Sequence, residues 1–528
     1  MKEVIIRTNF STKVGLGHLY RTKFLASKFK EQNYKVTFAL DNQINIGKKI
    51  LNFQHFFLYT KNSKFINQTR DAEILKEKIK KKNVKYIIVD DYRFDLKWEK
   101  FFYKKGEKVV VFDDLHNRKH LCDYIIDSRW LNIDSFASRY KNLVPKDCKR
   151  LLGPKYCLIN PNFSKIKKKS KFLNLLLYFG GGGDFNFYTK FIIEFCSLIK
   201  NSAYKDKVII NIVIGPLSIN YYKLNVLAKK NKFINLIKNN FDLSSVLSQT
   251  SLFFGTASSI INELNYLNIP SCLFSVSRNQ RNNLRTFEDF GHYLFFENKE
   301  FKDTKKIAQL LKLLVKNYSR FKKLSNTKYI KIDRNGDQRI TDQITQKNKY
   351  DKNKQPFIYQ KKQKYYQGIK EVNDTLVNEY LESRNLIQNR KNSKNTKIIN
   401  IIDHYIWWFK TKRKSFFLSR KGKIRMFISQ ELIYFKRKNF WVGGWFNSKN
   451  RCSIIDVMKA LKWQLNSSFK ICNCPWIVLI KRKNKTVYKI NLLLGYKKIK
   501  KDIDKTEYRA LKNFYNVKKT KNYFFLKK

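Results

Sequence analysis

Short, almost uninterrupted apolar runs recur through residues 1–346, and the stretches between them carry helical periodicity. Val4–Ile6 reads as a strand and Leu19–Lys30 as a helix with Leu25 and Phe29 on one face, followed by a strand over Lys35–Leu40. A helical 72–82, a strand Tyr86–Val89, a helical Lys97–Lys104 and strands Val109–Phe112 and Tyr124–Ile126 continue the alternation. Strands that are apolar along their whole length are buried on both faces, and helices between them make the sheet parallel. The pattern restarts near residue 172 with strands Leu173–Tyr178, Val208–Ile214, Leu252–Phe254 and Ser271–Phe274. These runs predict an α/β chain with two successive Rossmann-like, doubly wound sheets and a cleft between them. Nothing repeats at a solenoid period.

A chain of 528 residues exceeds what one core can bury, and 43% hydrophobic residues suffice for several. The expected boundaries are 1–165 and 166–346 for the two sheets, then a basic polar linker over 347–372. A further α/β domain is expected over 373–528. The net charge of +69 raises the question of nucleic acid. The excess is lysine, spread along the whole chain and accompanied by much Asn, Ile, Phe and Tyr, all encoded by A/T-rich codons. A compositional drift accounts for all of these, whereas nucleic-acid binding accounts for lysine alone, so nucleic acid is not the expected partner. A basic surface would still attract an anionic substrate. No run of eighteen apolar residues is present, so no membrane span is expected. The chain enters a strand without a basic-then-apolar leader, and its eight cysteines are scattered. Cys472-Asn473-Cys474 lacks a second pair at ligand spacing, so free thiols and a cytoplasmic setting are expected.

Chemistry in such sheets gathers beyond the carboxyl ends of the strands. Gly15-Leu16-Gly17-His18 follows the first strand and opens a helix, so the backbone can turn tightly against a ligand beside free N–H groups. The positive helix end disfavours imidazolium, which leaves His18 neutral near pH 7 and able to accept a proton. Gly180 to Gly183 follow the strand Leu173–Tyr178 and can present bare N–H groups to phosphate, although the spacing is not that of an ATP-binding P-loop. Gly255-Thr256-Ala257-Ser258-Ser259 is a second small-residue loop, with Glu263 one turn into the next helix, where a carboxylate can take a ribose diol. Asp90-Asp91 and Asp113-Asp114 also end strands. Such pairs can hold a divalent metal, bind sugar hydroxyls, orient a histidine, or simply cap turns.

Taken in order, these residues resemble the UDP-2,4-diacetamido-2,4,6-trideoxy-β-L-altropyranose hydrolases of pseudaminic acid biosynthesis, relatives of the GT-B glycosyltransferases. The resemblance covers about residues 1–346. It rests on Arg7-Thr8-Asn9, Gly15-Leu16-Gly17-His18 with Arg21, Val89-Asp90-Asp91-Tyr92 and Val111-Phe112-Asp113-Asp114-Leu115. Asn117-Arg118, Cys122-Asp123, Leu152-Gly153-Pro154-Lys155-Tyr156 and Asn162-Phe163 extend it. The second half adds Phe179-Gly180-Gly181, Ser258-Ser259 with Glu263, Pro270, Asn279-Gln280, Asp333, Gly336 and Arg339-Ile340.

The resemblance implies a GT-B architecture and hydrolysis of a UDP-sugar at its anomeric carbon, with inversion and without a metal or other cofactor. His18 would be the base that activates water. Arg7, Asn9, Gly17, Arg21, Asp90, Tyr92 and Asp114 would line the sugar side. Gly180, Gly181, Gly182, Ser258 and Ser259 would hold the departing diphosphate, Glu263 the ribose, and Asn279 and Gln280 the diphosphate or sugar. The chain departs from the family in its Gly182-Gly183-Asp184, where a Ser-Asp is usual, and in Asn9, where Asp is common; sugar specificity stays open. Transfer of the sugar to an acceptor on the same scaffold is the alternative.

Residues 373–528 carry Arg384-Asn385, Arg390, His404 to Phe409, Asn484 to Tyr488 and Leu494-Gly495-Tyr496, and look like a GNAT-type N-acetyltransferase. Such domains cradle the pyrophosphate of acetyl-coenzyme A on a glycine-rich turn at a helix N-terminus. The matching segment, Arg451-Cys452-Ser453-Ile454-Ile455-Asp456, has no glycine and puts an acid in the first turn. The expectation is a degenerate domain kept for substrate binding or association, with Tyr488 as general acid if transfer is retained. The aromatic cluster Tyr405 to Phe409 also reads as plain core.

Overall fold

The structure is a computed structural model that describes residues 1–10, 14–41, 52–59, 65–131, 135–163, 170–238, 242–277, 280, 284–346, 367–450 and 452–528. It divides into two compact units, 1–360 and 361–528.

The first unit holds two parallel sheets. Strands β1 (Glu3–Thr8), β2 (Lys35–Leu40), β3 (Gln54–Phe57), β4 (Val84–Asp90), β5 (Lys108–Phe112), β6 (Tyr124–Asp127) and β7 (Lys149–Leu152) run in the order β3-β2-β1-β4-β5-β6-β7. Successive residues of a strand face opposite sides of a sheet, and both sides are covered here. Val4 and Ile6 pack with Leu19, Leu25 and Phe29 of helix α1 (Gly17–Glu31), whereas Ile5, Ile87 and Val89 pack with Ala72 and Leu75 of helix α2 (Gln68–Ile79). After β1 the chain builds outward through β2 and β3, then returns to lay β4 against the other edge of β1. The gap beyond the ends of β1 and β4 is therefore a topological switch point. Thr8 pairs with Asp90 in this register.

The second sheet repeats the arrangement with β8 (Leu173–Tyr178), β10 (Val208–Ile214), β12 (Ile234–Lys238), β13 (Leu252–Thr256), β14 (Ser271–Ser275) and β15 (Leu294–Glu297), in the order β12-β10-β8-β13-β14-β15. Its switch point lies between β8 and β13, whose ends lead into the glycine run and into Ser258-Ser259. Helix α3 (Ile260–Tyr266) follows. Two short strands, β9 (Gly182–Asp184) and β11 (Leu217–Ile219), pair beyond the carboxyl ends of β8 and β10. Helix α4 (Gly336–Thr345) follows the second sheet in sequence but packs on the first. Ile340 and Ile344 join its core, and the hydroxyls of Tyr86 and Tyr124 donate to the Ile344 carbonyl. Only glycine fits at 336, where a Cβ would fall 1.9 Å from the Cys157 carbonyl oxygen.

The second unit is α/β of another kind. Strands β16 (Gly368–Glu371), β17 (Lys414–Arg420), β18 (Lys423–Phe435) and β19 (Lys438–Asn447) form an antiparallel sheet. Strands β20 (Ile477–Lys481), β21 (Lys497–Lys498) and β22 (Tyr523–Lys527) form another, in the order β20-β22-β21. An isolated parallel bridge from Trp441 to Trp476 joins β19 to the start of β20. Helix α5 (Ile401–Lys410) carries Tyr405, Trp408 and Phe409, all buried, so the aromatic cluster is core. Helices α6 (Ile454–Phe469) and α7 (Lys485–Leu493) complete the elements that bear on the site. Residues 347–366, most of the expected linker, lie outside the described residues. No helix among the described residues is long and apolar enough to cross a membrane.

Candidate active site

The first sheet's switch point brings together residues from three strand ends. His18 enters from the first turn of α1, Asp90 ends β4, and Asp114 lies just past β5. His18 Nδ1 lies 2.5 Å from Asp90 Oδ1. Arg21, one helical turn after His18, grips the same carboxylate through Nε and Nη2, each at 2.5 Å, and donates from Nη1 to Asp114 Oδ2 at 2.5 Å. Tyr92 donates its hydroxyl to Asp114 at 2.7 Å and sets its ring edge-on to His18 at 4.6 Å. Arg21 also lies over the Phe112 ring.

The electrostatics follow from this packing. Asp90 is fully buried, which alone would raise its carboxyl, but Arg21 and then His18 outweigh burial and hold it below the ordinary carboxylate value. Burial opposes the Arg21 charge, yet Asp114 and Asp90 keep it firmly protonated. Tyr92 is pushed up by burial and by Asp114, so it stays a donor. Because Nδ1 faces a carboxylate, it carries the ring proton, and Nε2 is left as the acceptor. Nε2 has no partner among the described residues, and the side chain keeps 11% of its surface exposed. An imidazole held this way has one tautomer favoured and an Nε2 lone pair able to accept a proton.

The four aspartates at these strand ends are already engaged. Asp91 accepts from Arg93, while Asp113 turns away from the site to Arg118, Tyr140 and the backbone N–H groups of Leu115 and His116. They act as paired anions toward arginine rather than as a chelating set.

The second sheet faces this cluster. A Cβ on Gly17 would meet Ser259 Oγ at 4.0 Å, and one on Gly181 would meet Leu16 at 3.4 Å, so the start of α1 lies across both loops of the second switch point. Gly180 adopts φ 106°, a conformation open to glycine. The run continues into β9, with the Gly181 carbonyl accepting from Leu217 N–H. Ser258 is half-buried and Ser259 exposed. Glu263, half-buried, has its carboxyl pushed up to about 8, first by burial and then by Asp242.

Several expectations change. Arg7 does not line a ligand space. It is fully buried and bound to Asp71 through Nε at 3.1 Å and Nη2 at 2.6 Å, and it pairs with Asp41. Tyr59 and Trp98 also donate to Asp71, which makes this network a brace on the far face of the sheet. Arg7 points there because consecutive strand residues alternate faces. Gln280 Oε1 accepts from Val276 N–H and so ties its own loop. Asn9 is half-buried at the end of β1, and Asn279 lies outside the described residues. Sequence reasoning misses Tyr178 and Asp242, which act on Glu263, and Tyr20, which is reached by both of them; no motif marks a lone tyrosine on a helix.

In the second unit the segment expected to cradle a coenzyme pyrophosphate is closed by its own side chains. Ser453 caps α6 by accepting from Asp456 N–H at 3.1 Å, its hydroxyl donates to the Asp456 carboxylate, and Arg420 pairs with that acid. The N–H that a phosphate would use is taken and a carboxylate stands in the first turn where the phosphate would sit, so the residues do not fit acetyl-coenzyme A. Tyr488 on α7 stacks on Phe524, with ring centroids 4.0 Å apart.

No family model matches the chain. It is 25% identical over 262 residues to the UDP-2,4-diacetamido-2,4,6-trideoxy-β-L-altropyranose hydrolase of Campylobacter jejuni, a match that covers 49% of this chain and 87% of that protein. It is likewise 25% identical over 296 residues to an uncharacterized protein of Methanocaldococcus jannaschii, covering 53% of this chain but only 57% of that protein. Among solved structures, MurG of Acinetobacter baumannii aligns with a TM-score of 0.43 at 13% identity, over 66% of this chain and all of that one. By sequence, then, the half of the chain that carries His18, Asp90 and Arg21 is similar to a UDP-sugar hydrolase.

Proposed function

We propose that the first unit hydrolyses a UDP-linked 2,4-diacetamido-2,4,6-trideoxy sugar at its anomeric carbon. The observation that carries this reading is the His18 ring, pinned through Nδ1 by Asp90, with Nε2 unpartnered among the described residues, on a helix whose start lies against Gly181 and Ser259 of the second sheet. Nε2 takes a proton from water as the water oxygen forms a bond to C1. The bond from C1 to the diphosphate oxygen breaks, and UDP leaves with the electron pair. The anomeric configuration inverts, because attack and departure occur on opposite faces. Asp90 stabilises the imidazolium that forms, and the proton passes to solvent when the free sugar is released.

UDP is already a good leaving group, so the second sheet's task is to hold its charge. N–H groups at Gly180 to Gly182 and the hydroxyls of Ser258 and Ser259 suit it. Arg21, Tyr92 and Asp114 form the polar wall on the sugar side. Similarity to the Campylobacter jejuni hydrolase over this region supports the substrate class. The second unit, with its cradle closed, serves substrate binding or association.

The test is to incubate the purified chain with the UDP-diacetamido sugar and follow UDP and free sugar by NMR. Release of both in equal amounts is expected. His18→Ala should keep UDP affinity and lose turnover by about 10²- to 10⁴-fold. A His18→Ala variant that turns over at the wild-type rate overturns the assignment of the base, and release of UDP only when an acceptor alcohol is added overturns hydrolysis in favour of transfer.

A further inference from the structure

Helix α1 does more than deliver His18. Residues two positions apart on a helix face nearly opposite sides, so Tyr20 leaves α1 on the side away from His18 and Asp90, packed against the first sheet's core and reached by Tyr178 at the end of β8. Its hydroxyl oxygen is buried and has no hydrogen-bond partner. Buried polar groups are nearly always paired, so an orphaned phenol needs an explanation. The groups whose charge reaches it are Tyr178, at the end of β8, and Asp242. Tyr178 in turn faces Glu263, and Glu263 faces Asp242.

The members of this cluster differ in what they have left to offer. Asp242 is engaged, accepting from the side chains of Asn160 at 2.7 Å and Asn162 at 2.8 Å and from Ser244 N–H. Glu263 has no hydrogen bond or ion pair among the described residues to offset its burial, and its carboxyl is raised accordingly. Among the described residues Tyr20, Tyr178 and Glu263 make no side-chain hydrogen bond, and of these Tyr20 and Glu263 are carried by the two switch-point helices, one from each sheet.

We propose that Tyr20 is a nucleotide-binding residue, its phenol donating to one hydroxyl of a ribose whose diol is taken from the other side by Glu263. This rests on the UDP-sugar reading above. A vicinal diol offers two donors and several acceptor lone pairs, which a carboxyl and a phenol can share without leaving either polar group unpaired. The arrangement also ties the two halves of the unit through the ligand. A ribose bridging Glu263 and Tyr20 fixes the helix whose first turn carries His18, so binding at the nucleotide end aligns the base at the sugar end.

The experiment uses the full chain and three ligands, UDP, 2′-deoxy-UDP and 3′-deoxy-UDP, with affinities measured by calorimetry for wild type and Tyr20→Phe. Tyr20→Phe removes one oxygen and keeps the ring. It is expected to weaken UDP about five- to tenfold. The deoxy analogue that lacks the hydroxyl reached by Tyr20 should bind both proteins equally. The thermal midpoint of the ligand-free variant should equal or exceed that of wild type, since no internal hydrogen bond is lost. Unchanged UDP affinity, equal weakening of all three ligands, or a lowered ligand-free midpoint each overturns the assignment. A wild-type chain that does not bind UDP defeats the UDP-sugar reading and this inference with it, whereas wild-type binding with an indifferent Tyr20→Phe defeats this inference alone.

Discussion

Replacing Asp90 by asparagine keeps the shape of the side chain and removes the charge that His18 and Arg21 share. Two effects separate. For catalysis, a carboxylate and an imidazolium about 4 Å apart interact by about 4 kcal/mol at an effective dielectric of about 20. That interaction exists fully only once Nε2 has taken a proton, so its loss falls on the transition state and predicts a kcat about 10³-fold lower, with little change in UDP affinity. Asparagine can also accept through its oxygen or donate through its nitrogen, so the Nδ1 tautomer is no longer enforced. For stability, breaking a buried ion pair costs about 3–5 kcal/mol, and the lower end applies because Arg21 keeps Asp114 as a partner. The assays are UDP release under saturating substrate, calorimetric UDP binding, and urea unfolding. A variant within about threefold of wild-type kcat would refute the reasoning, as would one whose kcat loss is matched by an equal loss of UDP affinity.

A second prediction concerns pH. His120 is fully buried, with Nδ1 2.6 Å from Glu99 and Nε2 3.7 Å from Asp113. Burial lowers its proton affinity, but the carboxylates of Asp113 and Glu99, the latter hydrogen-bonded to Nδ1, win and raise it to about 9. A folded-state value raised above the unfolded 6.5 contributes stability that is fully present below about pH 6.5 and is lost as pH rises through about 9. His120→Ala should therefore cost about 3 kcal/mol in urea unfolding at pH 6, with a smaller gap at pH 10; a constant gap counts against the charged pair. For the second unit, calorimetry with acetyl-coenzyme A should give no saturable heat, and Asp456→Gly should cost no more than about 1 kcal/mol in urea unfolding, since Ser453 keeps its capping position. Micromolar coenzyme binding by wild type would reverse the conclusion drawn from the capped helix.

Much of the architecture is legible in the residues because buried parallel strands must be apolar throughout. Leu173–Tyr178 and Val208–Ile214 are found where their composition puts them. Strands with mixed polarity are not legible. Gln54–Phe57 and Lys149–Leu152 sit at the sheet edges, where one flank is free and the apolar demand relaxes. Gly182–Asp184 pairs through backbone alone and carries no side-chain signal. At the site, His18 and Asp90 are marked by their place after strand ends and Arg21 by the family resemblance, and the three do meet. Arg7 misleads because a strand residue's direction depends on the pleat, which a motif does not encode. Tyr20 and Asp242 are invisible for a different reason: they matter only through apposition of the two sheets, a relation between residues far apart in the chain.

The return of α4 to the first sheet has a mechanical consequence. The polypeptide passes between the halves twice, near Cys157–Pro161 and near Arg334–Gly336, and the two passages touch. Arg334 donates to the Pro161 carbonyl, Arg339 to that of Lys155, and Gly336 is pressed against Cys157. Two adjoining tethers restrain the halves at one place, which favours hinging there over shear or twist. A chain cut before residue 336 would leave the first half with an uncovered apolar trough where Ile340 and Ile344 belong.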